Sequence, residues 1–281
     1  MCRWLAYRGG PIPTSELVLH PKHSLVAQSL DSTLGAEPVN GDGFGLGWYP
    51  VASGAGPGTP AVFRSIEPAW HDANLREVSQ AVVSPLFFSH VRAAAGPPIQ
   101  QTNCHPFRHE NWLFMHNGYL NGFDRYRREA MLRLDAAHFP LVQGTTDSEV
   151  LFHLALANGL RDDPPAALAT TVSLIEELGR AHDVTYPVQM TVAVTNGSTI
   201  WAFRYSTEGR SRSLFHSADV TALRQMYPDL ERLALLAPDA HVVVSEPLTD
   251  LPGAFVEVPE SSSVMIDAAG YHHQPFLAPT G

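Results

Sequence analysis

The order of strand patterns and helix patterns along the 281 residues is the feature that most constrains how this chain can fold. Apolar runs typical of β-strands stand mostly next to one another, and segments with apolar residues at three- and four-residue steps, typical of helices, stand apart from them. This grouping favours a layered α+β domain over alternating βαβ units. The predicted strands are residues 43–49, 62–66, 86–91, 112–115, 190–194, 200–205, 241–245 and 264–267, and the predicted helices are residues 69–82, 125–137, 147–160, 166–180 and 221–234.

Two local signals refine this pattern. Asn196-Gly197 separates two predicted strands and is typical of a tight hairpin turn. Residues 51–60 contain three glycines and two prolines, which predicts a surface loop between strands. No linker composition divides the chain, so we expect one domain that covers residues 2–281.

Charge and hydropathy exclude several classes of partner. The formal net charge is -10, from 28 acidic and 18 basic residues, and no Lys/Arg cluster is present, so nucleic acid and anionic membranes are poor partners. No run approaches the ~20 apolar residues of a membrane span, and the first dozen residues lack the apolar segment of a secretory leader. We therefore expect a cytoplasmic protein in which Cys2 and Cys104 are free thiols.

Cys2 directly follows the initiator methionine. Its side chain is small enough for Met1 to be removed in the cell, which would place the thiol on the first residue of the mature chain. An α-amine has a pKa of about 7.7–8.0 and is partly neutral at pH 7, so it can accept the proton of the thiol. The alternative is a cysteine that stands second by chance.

Arg92 ends the motif His90-Val91-Arg92, where a predicted strand opens into a loop rich in Gly and Pro. A guanidinium group there can hold a planar carboxylate through two hydrogen bonds. The alternative is a surface arginine in an ordinary ion pair.

Asn117 and Gly118 follow the predicted strand 112–115. Asn-Gly after a strand is typical of a turn. The functional alternative is an oxyanion hole, in which the Asn117 side-chain amide and the Gly118 backbone N–H face the oxygen of a tetrahedral intermediate.

Asp147 lies in the segment Thr145-Thr146-Asp147-Ser148-Glu149. Thr146 and Glu149 form a capping box, which predicts a helix start without any function. The Asp147 carboxylate can pair with a substrate ammonium group, or it can stabilise the helix through its dipole. The sequence leaves both interpretations open.

Two further patterns suggest other chemistry. Residues 40–47 have a glycine at every second position, which suggests a phosphate-binding loop. Neither a lysine nor a helix start follows, so we instead predict a turn into a strand that passes close to another backbone. Cys104-His105 with His109 suggests a metal hydrolase. Because neither His-Glu-x-x-His nor paired Cys-x-x-Cys spacing is present, we expect no metal and no cofactor.

The chain resembles the class II glutamine amidotransferases, which are N-terminal-nucleophile hydrolases. The resemblance covers the first half of the chain. It rests on an ordered set of motifs: Met1-Cys2-Arg3, residues 40–45, His90-Val91-Arg92, Asn103-Cys104-His105-Pro106, His116-Asn117-Gly118 and Thr146-Asp147-Ser148-Glu149.

This resemblance implies a four-layer αββα sandwich and an enzyme that cleaves the γ-amide of a γ-glutamyl compound. Cys2 would be the nucleophile that forms a thioester, and glutamate would be released. By position, Asn117 and Gly118 would stabilise the oxyanion, Arg92 would hold the substrate α-carboxylate, and Asp147 would hold the α-ammonium group.

One segment departs from the family pattern. Amidotransferases that make amino sugars follow the arginine with Trp-Ala-Thr-His, whereas this chain has Ala93-Ala94-Ala95-Gly96. The smaller side chains leave space for a bulkier group on the amide nitrogen. The closer resemblance is to small stand-alone members of the glutathione-degradation and ergothioneine-pathway type, so we expect glutamine or another γ-glutamyl small molecule as substrate.

Two alternatives to this enzyme stay open. The first is a glutaminase subunit that supplies ammonia to a separate synthase. The second is a non-catalytic binding module on the same fold. A peptidase or synthase subunit is a candidate protein partner.

Overall fold

The computed structural model describes residues 2–34, 39–51, 58–94 and 96–277. Short three-ten turns at Gln101–Asn103, Phe139–Leu141 and Glu231–Leu235 join some of its elements. The strands are β1 (Arg3–Pro13), β2 (Phe44–Trp48), β3 (Ala61–Ser65), β4 (Val83–Val91), β5 (Phe107–His109), β6 (Trp112–Leu120), β7 (Val188–Thr195), β8 (Ile200–Ser206), β9 (Phe215–Ser217), β10 (His241–Val244), β11 (Phe255–Glu257), β12 (Ser262–Asp267) and β13 (Gly270–Pro275). The helices are α1 (Ser15–Val18), α2 (Leu25–Leu30), α3 (Ala73–Ala81), α4 (Phe123–Leu132), α5 (Asp147–Ala157), α6 (Pro164–Ala181) and α7 (Val220–Met226).

The strands form two antiparallel sheets. The first sheet has the order β11-β9-β10-β1-β4-β2-β3, and the second has the order β13-β12-β8-β7-β6-β5. In the first sheet β1 lies at the centre, between β10 and β4. In the second sheet β6 lies between β5 and β7.

The two sheets pack against each other, and helices cover both outer faces. Alternate residues of β1 enter two different cores: Trp4 and Ala6 pack between the sheets, whereas Leu5 and Tyr7 pack with side chains of α1, α2 and α3. A third core lies between the second sheet and α4, α5 and α6. The protein is therefore α+β, with the predicted four-layer αββα sandwich.

Every strand predicted from the sequence is present, with ends that differ by a few residues. The Asn196-Gly197 hairpin is also present: Thr195 pairs with Ile200, and the Asn196 side-chain oxygen accepts hydrogen bonds from the backbone of Ser198 and Thr199. The prediction missed β1, β5, β9, β11 and β13. The apolar run of β1, residues 4–7, is only four residues long and is followed by residues typical of a loop, and β5, β9 and β11 are too short to show a period.

Four of the predicted helices are present, but the fifth, at residues 221–234, is wrong as a continuous helix. It ends at Met226 because Pro228 has no backbone N–H to continue the hydrogen-bond ladder, and a separate three-ten turn follows at Glu231–Leu235. The short helices α1 and α2 were not predicted. Of the predicted loop 51–60, residues 52–57 lie outside the described residues. The single domain covering residues 2–281 stays a prediction.

Candidate active site

The central strand of the first sheet carries the candidate nucleophile at its start. Cys2 directly precedes β1, and Arg3 pairs with Val91 at the end of β4. This pairing brings the Cys2 thiol beside the residue that follows Arg92: the Cys2 Sγ lies 3.3 Å from the Ala93 backbone nitrogen, which donates to it, and 3.5 Å from the Ala93 carbonyl oxygen. Ala93 contributes only a methyl group there, so the half-buried thiol is not crowded by a large side chain.

Desolvation controls the protonation of Cys2. Burial raises the pKa of the thiol above its ordinary value, and the hydrogen bond from Ala93 and the positive charges of Arg92 and Arg3 only partly oppose this. The resting side chain is therefore a thiol near pH 7, and attack by its sulfur needs a neighbouring base.

Arg92 is the first residue after β4, where the sequence predicted a strand opening into a loop. Its backbone N–H donates to the Gly43 carbonyl oxygen at 2.8 Å, and its carbonyl oxygen accepts from the Asp42 N–H at 2.9 Å. Its guanidinium donates to the carbonyl oxygens of Pro97 and Pro98, at 3.3 Å and 3.4 Å. Arg92 is buried and pairs with no carboxylate in the described part of the chain, so the alternative of a surface ion pair is wrong.

Asn117 and Gly118 lie within β6, which continues to Leu120 and stays paired with β7, so the turn interpretation is wrong. The Asn117 side chain faces the first sheet, and its Nδ2 donates to the Cys2 carbonyl oxygen at 2.9 Å. Gly118 has φ of +141°, and a Cβ atom there would lie 2.0 Å from the Gln189 carbonyl oxygen. Position 118 therefore requires glycine for both conformation and space.

Asp147 is the first residue of α5, after the N-cap Thr146. Its Oδ2 accepts a hydrogen bond from the Leu120 N–H at 2.7 Å, which ties the helix start to the end of β6. Thr146 accepts from the Glu149 N–H, as predicted, but the Glu149 carboxylate accepts from the N–H groups of Gln143 and Gly144. The Thr146 half of the predicted capping box is therefore present, whereas the Glu149 side chain binds the loop before the helix.

These residues line one cavity of about 830 Å³. The five residues singled out from the sequence are all in its wall, although they come from the two sheets, from α5 and from the loop after β4. Ligand sites typically occupy roughly 300–1,000 Å³, so the cavity has room for a substituted amino acid. The predicted site residues in its wall are Cys2, Arg92, Asn117, Gly118 and Asp147.

The segment after Arg92 forms another part of the wall. Ala93 and Gly96 line the cavity, and the Ala94 N–H donates to the Asp42 carboxylate at 2.7 Å. Ala95 lies outside the described residues.

The glycine-rich segment 40–47 leads into β2, as predicted. A Cβ atom on Gly45 would lie 2.0 Å from the His105 carbonyl oxygen, which confirms a close approach to another backbone. In the ranges that the structure describes, no three His, Cys, Asp or Glu side chains are grouped as a metal site requires. No helix in those ranges is long and apolar enough to span a lipid bilayer.

A buried ion pair next to Cys2 was not expected from the sequence. The Arg3 Nε donates to the Glu246 Oε2 at 2.7 Å, and the Arg3 guanidinium also donates to the Cys2 carbonyl oxygen at 3.0 Å. Glu246 further accepts from the N–H and hydroxyl of Thr33 and the N–H of Leu34. Spacing could not reveal this pair, because 243 positions separate Arg3 from Glu246.

Three buried histidines lie beside the site, and each belongs to one of the sequence motifs that resemble the family, although the sequence predicted no role for them. The rings of His90 and His105 lie 4.3 Å apart, and the His116 Nδ1 lies 2.8 Å from the Ser148 hydroxyl. Burial lowers the pKa of all three, that of His90 to about 3, so these side chains are neutral at pH 7.

Comparisons with known proteins bear on this site. The sequence model of a family described as class-II glutamine amidotransferases matches residues 21–253. The chain is 33% identical over 291 residues to the probable glutamine amidotransferase DUG3 of Saccharomyces cerevisiae, covering 95% of this chain and 82% of that protein. It is 29% identical over 255 residues to the gamma-glutamyl-hercynylcysteine sulfoxide hydrolase of Mycolicibacterium smegmatis, covering 87% and 99% of the two chains.

Solved structures are also similar. A glutamine aminotransferase class-II domain protein from Silicibacter pomeroyi superposes with a TM-score of 0.71 at 31% identity, covering 99% of this chain and 100% of that one. The glutamine phosphoribosylpyrophosphate amidotransferase of B. subtilis has a TM-score of 0.64 at 18% identity and covers 98% of this chain and 49% of that one, which is a likeness of fold.

Proposed function

This chain belongs to the class II glutamine amidotransferases, and from that membership we propose that Cys2, exposed by removal of Met1, attacks the γ-carbonyl carbon of a γ-glutamyl amide. The enzyme then hydrolyses the amide through a thioester and releases glutamate. The names of its relatives, a glutamine amidotransferase and a γ-glutamyl hydrolase, support an enzyme of this class. In this proposal the catalytic unit is one domain of residues 2–281.

The contact between Asn117 and Cys2 carries the proposal. A side-chain amide within 2.9 Å of the Cys2 carbonyl oxygen puts a hydrogen-bond donor next to the candidate nucleophile. The Gly118 N–H follows directly in the same strand, and both residues line the cavity. Such donors beside a nucleophile are what a developing oxyanion requires.

The first step is proton transfer from the Cys2 thiol to the α-amine of the same residue. Because burial raises the pKa of the thiol, a preformed thiolate is disfavoured and a local base is needed. An α-amine with a pKa of about 7.7–8.0 is partly neutral at pH 7 and is matched to this task.

Bond formation between the Cys2 sulfur and the γ-carbon then moves an electron pair onto the carbonyl oxygen. Asn117 Nδ2 and the Gly118 N–H stabilise this oxyanion. When the intermediate collapses, the C–N bond breaks, the leaving amine takes the proton from the α-ammonium group, and a γ-glutamyl thioester remains.

Water completes the reaction. The α-amine, now neutral, accepts a proton from the attacking water, the C–S bond breaks, and the thiol is restored as glutamate leaves. Arg92, buried and without a carboxylate partner in the described part of the chain, holds the substrate α-carboxylate. Asp147, half-exposed at the start of α5, holds the α-ammonium group.

The test combines mass and activity. Intact-mass measurement is expected to show a chain that lacks Met1, and the purified protein is expected to release glutamate from glutamine or other γ-glutamyl amides. Cys2→Ala should abolish this release, whereas Cys104→Ala, which removes the other free thiol, should retain it. Retained Met1, or full activity in Cys2→Ala, would show that the proposal is wrong. Low release that increases on adding a synthase would favour the ammonia-supplying alternative.

A further inference from the structure

One motif of the sequence has no part in the chemistry proposed above. It is Asn103-Cys104-His105-Pro106, whose first residue ends the three-ten turn Gln101–Asn103. Asn103 is completely buried and does not line the cavity that contains Cys2. Burying an amide is costly unless its polar atoms are paired, so the partners of Asn103 indicate why an amide stands here.

The Asn103 side chain makes every hydrogen bond that an amide can make. Its Nδ2 donates to the Pro98 carbonyl oxygen and to the Thr145 hydroxyl, both at 2.9 Å. Its Oδ1 accepts from the Thr145 N–H at 2.8 Å and from the Gln100 Nε2 at 3.2 Å. An amide has two donor hydrogens and an oxygen with two lone pairs, so its capacity is filled. The main partners, Pro98 and Thr145, both line the cavity.

The bond to Pro98 fixes a carbonyl group that Arg92 also uses. The Arg92 guanidinium donates to the carbonyl oxygens of Pro97 and Pro98, at 3.3 Å and 3.4 Å. Proline has no backbone N–H, so backbone hydrogen bonds can hold these two residues only at their carbonyl groups. The bond from Asn103 to the Pro98 oxygen is the shorter one, at 2.9 Å. Asn103 therefore fixes the oxygen toward which the Arg92 guanidinium points.

The bonds to Thr145 fix the start of the helix that carries Asp147. Thr145 lies two residues before Asp147, and its N–H and hydroxyl both bind Asn103. The N–H groups of the two residues before Thr145 bind the Glu149 carboxylate, at 3.0 Å and 2.6 Å. Gly144 packs so closely that a Cβ atom on it would lie 2.4 Å from the Asn103 Oδ1. Three consecutive N–H groups before α5 are thus bonded to buried side chains, which leaves this segment little freedom.

We propose that Asn103 is a positioning residue that sets the separation between Arg92 and Asp147. This inference rests on the proposed function, in which these two residues hold the α-carboxylate and the α-ammonium group. Both substrate groups are attached to one carbon atom, so the side chains that bind them must keep one separation. Binding groups need to lie within about 0.5 Å of the productive geometry. Because one planar amide is bonded to both segments, they cannot shift apart without breaking a buried hydrogen bond.

The experiment compares glutamine with two analogues that each lack one of these groups. Glutaramate lacks the α-ammonium group, 4-aminobutanamide lacks the α-carboxylate, and all three amides release ammonia on hydrolysis. Asn103→Ala should lower kcat/KM for glutamine roughly 10- to 100-fold, mainly through KM, because a small displacement of binding groups is costly. Each analogue engages only one of the two binding residues, so the preference for glutamine over both analogues should fall.

Asn158→Ala is the matched control. Asn158 also uses its amide to bind a hydroxyl, that of Thr171 at 2.9 Å, but neither residue lines the cavity. Both preferences should stay as in the unmodified protein, and urea unfolding reports the stability of each variant. An Asn103→Ala protein that loses stability but keeps its KM and both preferences would show that Asn103 only stabilises the fold, which would overturn the inference.

A second variant tests one of the two segments without opening space in the core. Thr145→Val keeps the size of the side chain and removes the hydroxyl that the Asn103 Nδ2 binds. Because Thr145 leads to Asp147, the preference over glutaramate should fall more than the preference over 4-aminobutanamide. Thr145→Ser keeps the hydroxyl and should keep both preferences. If Asn103→Ala does not fold, this pair decides the question: equal preferences in Thr145→Val and Thr145→Ser would overturn the inference.

Double-mutant cycles show whether Asn103 acts through the two binding residues. In an Asp147→Asn or an Arg92→Gln protein, the further loss of kcat/KM caused by Asn103→Ala should be clearly smaller than in the unmodified protein. An additive loss in either cycle would mean that Asn103 does not act through that residue, and would overturn the proposed coupling.

Binding separates this inference from the proposed function. Calorimetry on Cys2→Ala, in which the proposed mechanism allows no turnover, should show that Asn103→Ala weakens the binding of glutamine more than that of glutaramate. An unmodified protein without a preference for glutamine over both analogues would refute the roles proposed for Arg92 and Asp147, and this inference with them. Full hydrolysis by Cys2→Ala would refute the thioester mechanism alone, because the effect of Asn103→Ala on kcat/KM would still be measurable.

Discussion

The Asn117 side chain donates a hydrogen bond from Nδ2 to the Cys2 backbone carbonyl oxygen, at 2.9 Å, and so joins the second sheet to the start of the first. This amide holds the backbone of Cys2, and in the proposed mechanism it also stabilises the oxyanion. We predict that Asn117→Ala lowers kcat about 100- to 1000-fold, the usual cost of one oxyanion donor, with a smaller change in KM. Steady-state glutamate release measures both constants.

Asn111→Ala is the control for that change. Asn111 also donates from its side chain to a backbone carbonyl, that of Asn196, but it is not part of the cavity wall. Its kcat should stay close to that of the unmodified protein. A kcat for Asn117→Ala that also stays unchanged would contradict the role of Asn117.

Gly118 is predicted to be intolerant of any side chain. In Gly118→Ala the Cβ would overlap the Gln189 carbonyl oxygen, and φ of +141° would be strained, so the free energy of unfolding should fall by about 2–4 kcal/mol. Gly270 also has positive φ, +111°, but nothing lies within 4 Å of a Cβ built there. Gly270→Ala should therefore cost only about 1 kcal/mol in urea unfolding. Equal losses would show that steric overlap at position 118 is unimportant.

The buried pair of Arg3 and Glu246 is predicted to stabilise the fold strongly. Burial raises the pKa of Glu246, but hydrogen bonds from Thr33 and Arg3 outweigh this effect and lower the pKa below its ordinary value. Glu246→Ala would leave the Arg3 guanidinium without this carboxylate and should lower the free energy of unfolding by about 3–5 kcal/mol. It should also lower kcat, because Arg3 contacts the Cys2 carbonyl oxygen.

A surface pair provides the comparison. Glu257 pairs with Arg204 at 2.7 Å, but its side chain is 55% exposed. Glu257→Ala should change the free energy of unfolding by less than about 1 kcal/mol. A similar loss from both variants would mean that burial does not decide the strength of the Arg3 pair.

Stability is predicted to fall in acid because of the buried histidines. Burial, with the positive charge of Arg92, lowers the pKa of His90 to about 3, whereas an unfolded histidine titrates near 6.5. Between about pH 6.5 and pH 3 the unfolded chain binds the proton that the folded protein excludes, so the stability contributed by neutral His90 is fully present above pH 6.5 and is lost progressively as the pH falls.

The slope of this effect is measurable. One histidine contributes up to about 1.4 kcal/mol per pH unit within that range. His90→Leu removes the titrating ring and keeps an apolar side chain of similar size, so the free energy of unfolding should depend less steeply on pH. An unchanged slope in urea unfolding between pH 6 and pH 4 would contradict the assignment to His90.

Much of the fold could be predicted because many of its strands and helices show a clear local sequence pattern. Strands such as β7 and β8 are rich in β-branched, aromatic and other apolar residues, and the Asn196-Gly197 turn between them is a local conformational signal. β1 was missed because its apolar run, residues 4–7, is only four residues long, lies between Arg3 and Arg8, and is followed by residues typical of a loop, Gly9, Gly10 and Pro11. The helix predicted at residues 221–234 failed at Pro228, where loss of one N–H outweighs the apolar pattern.

By itself the sequence determined the residue types of the site: a cysteine at position 2, an arginine after a strand, an Asn-Gly pair and an acid in the first turn of a helix. These residue types and the order of their motifs can be read directly along the chain. Tertiary structure alone decided that β6 continues through Asn117 and Gly118, that Glu246 lies in an ion pair next to Cys2, and that Asn103 holds two parts of the cavity wall. The reason is physical: pairing between strands and the burial of charge depend on contacts between residues far apart in the chain, which no local pattern encodes.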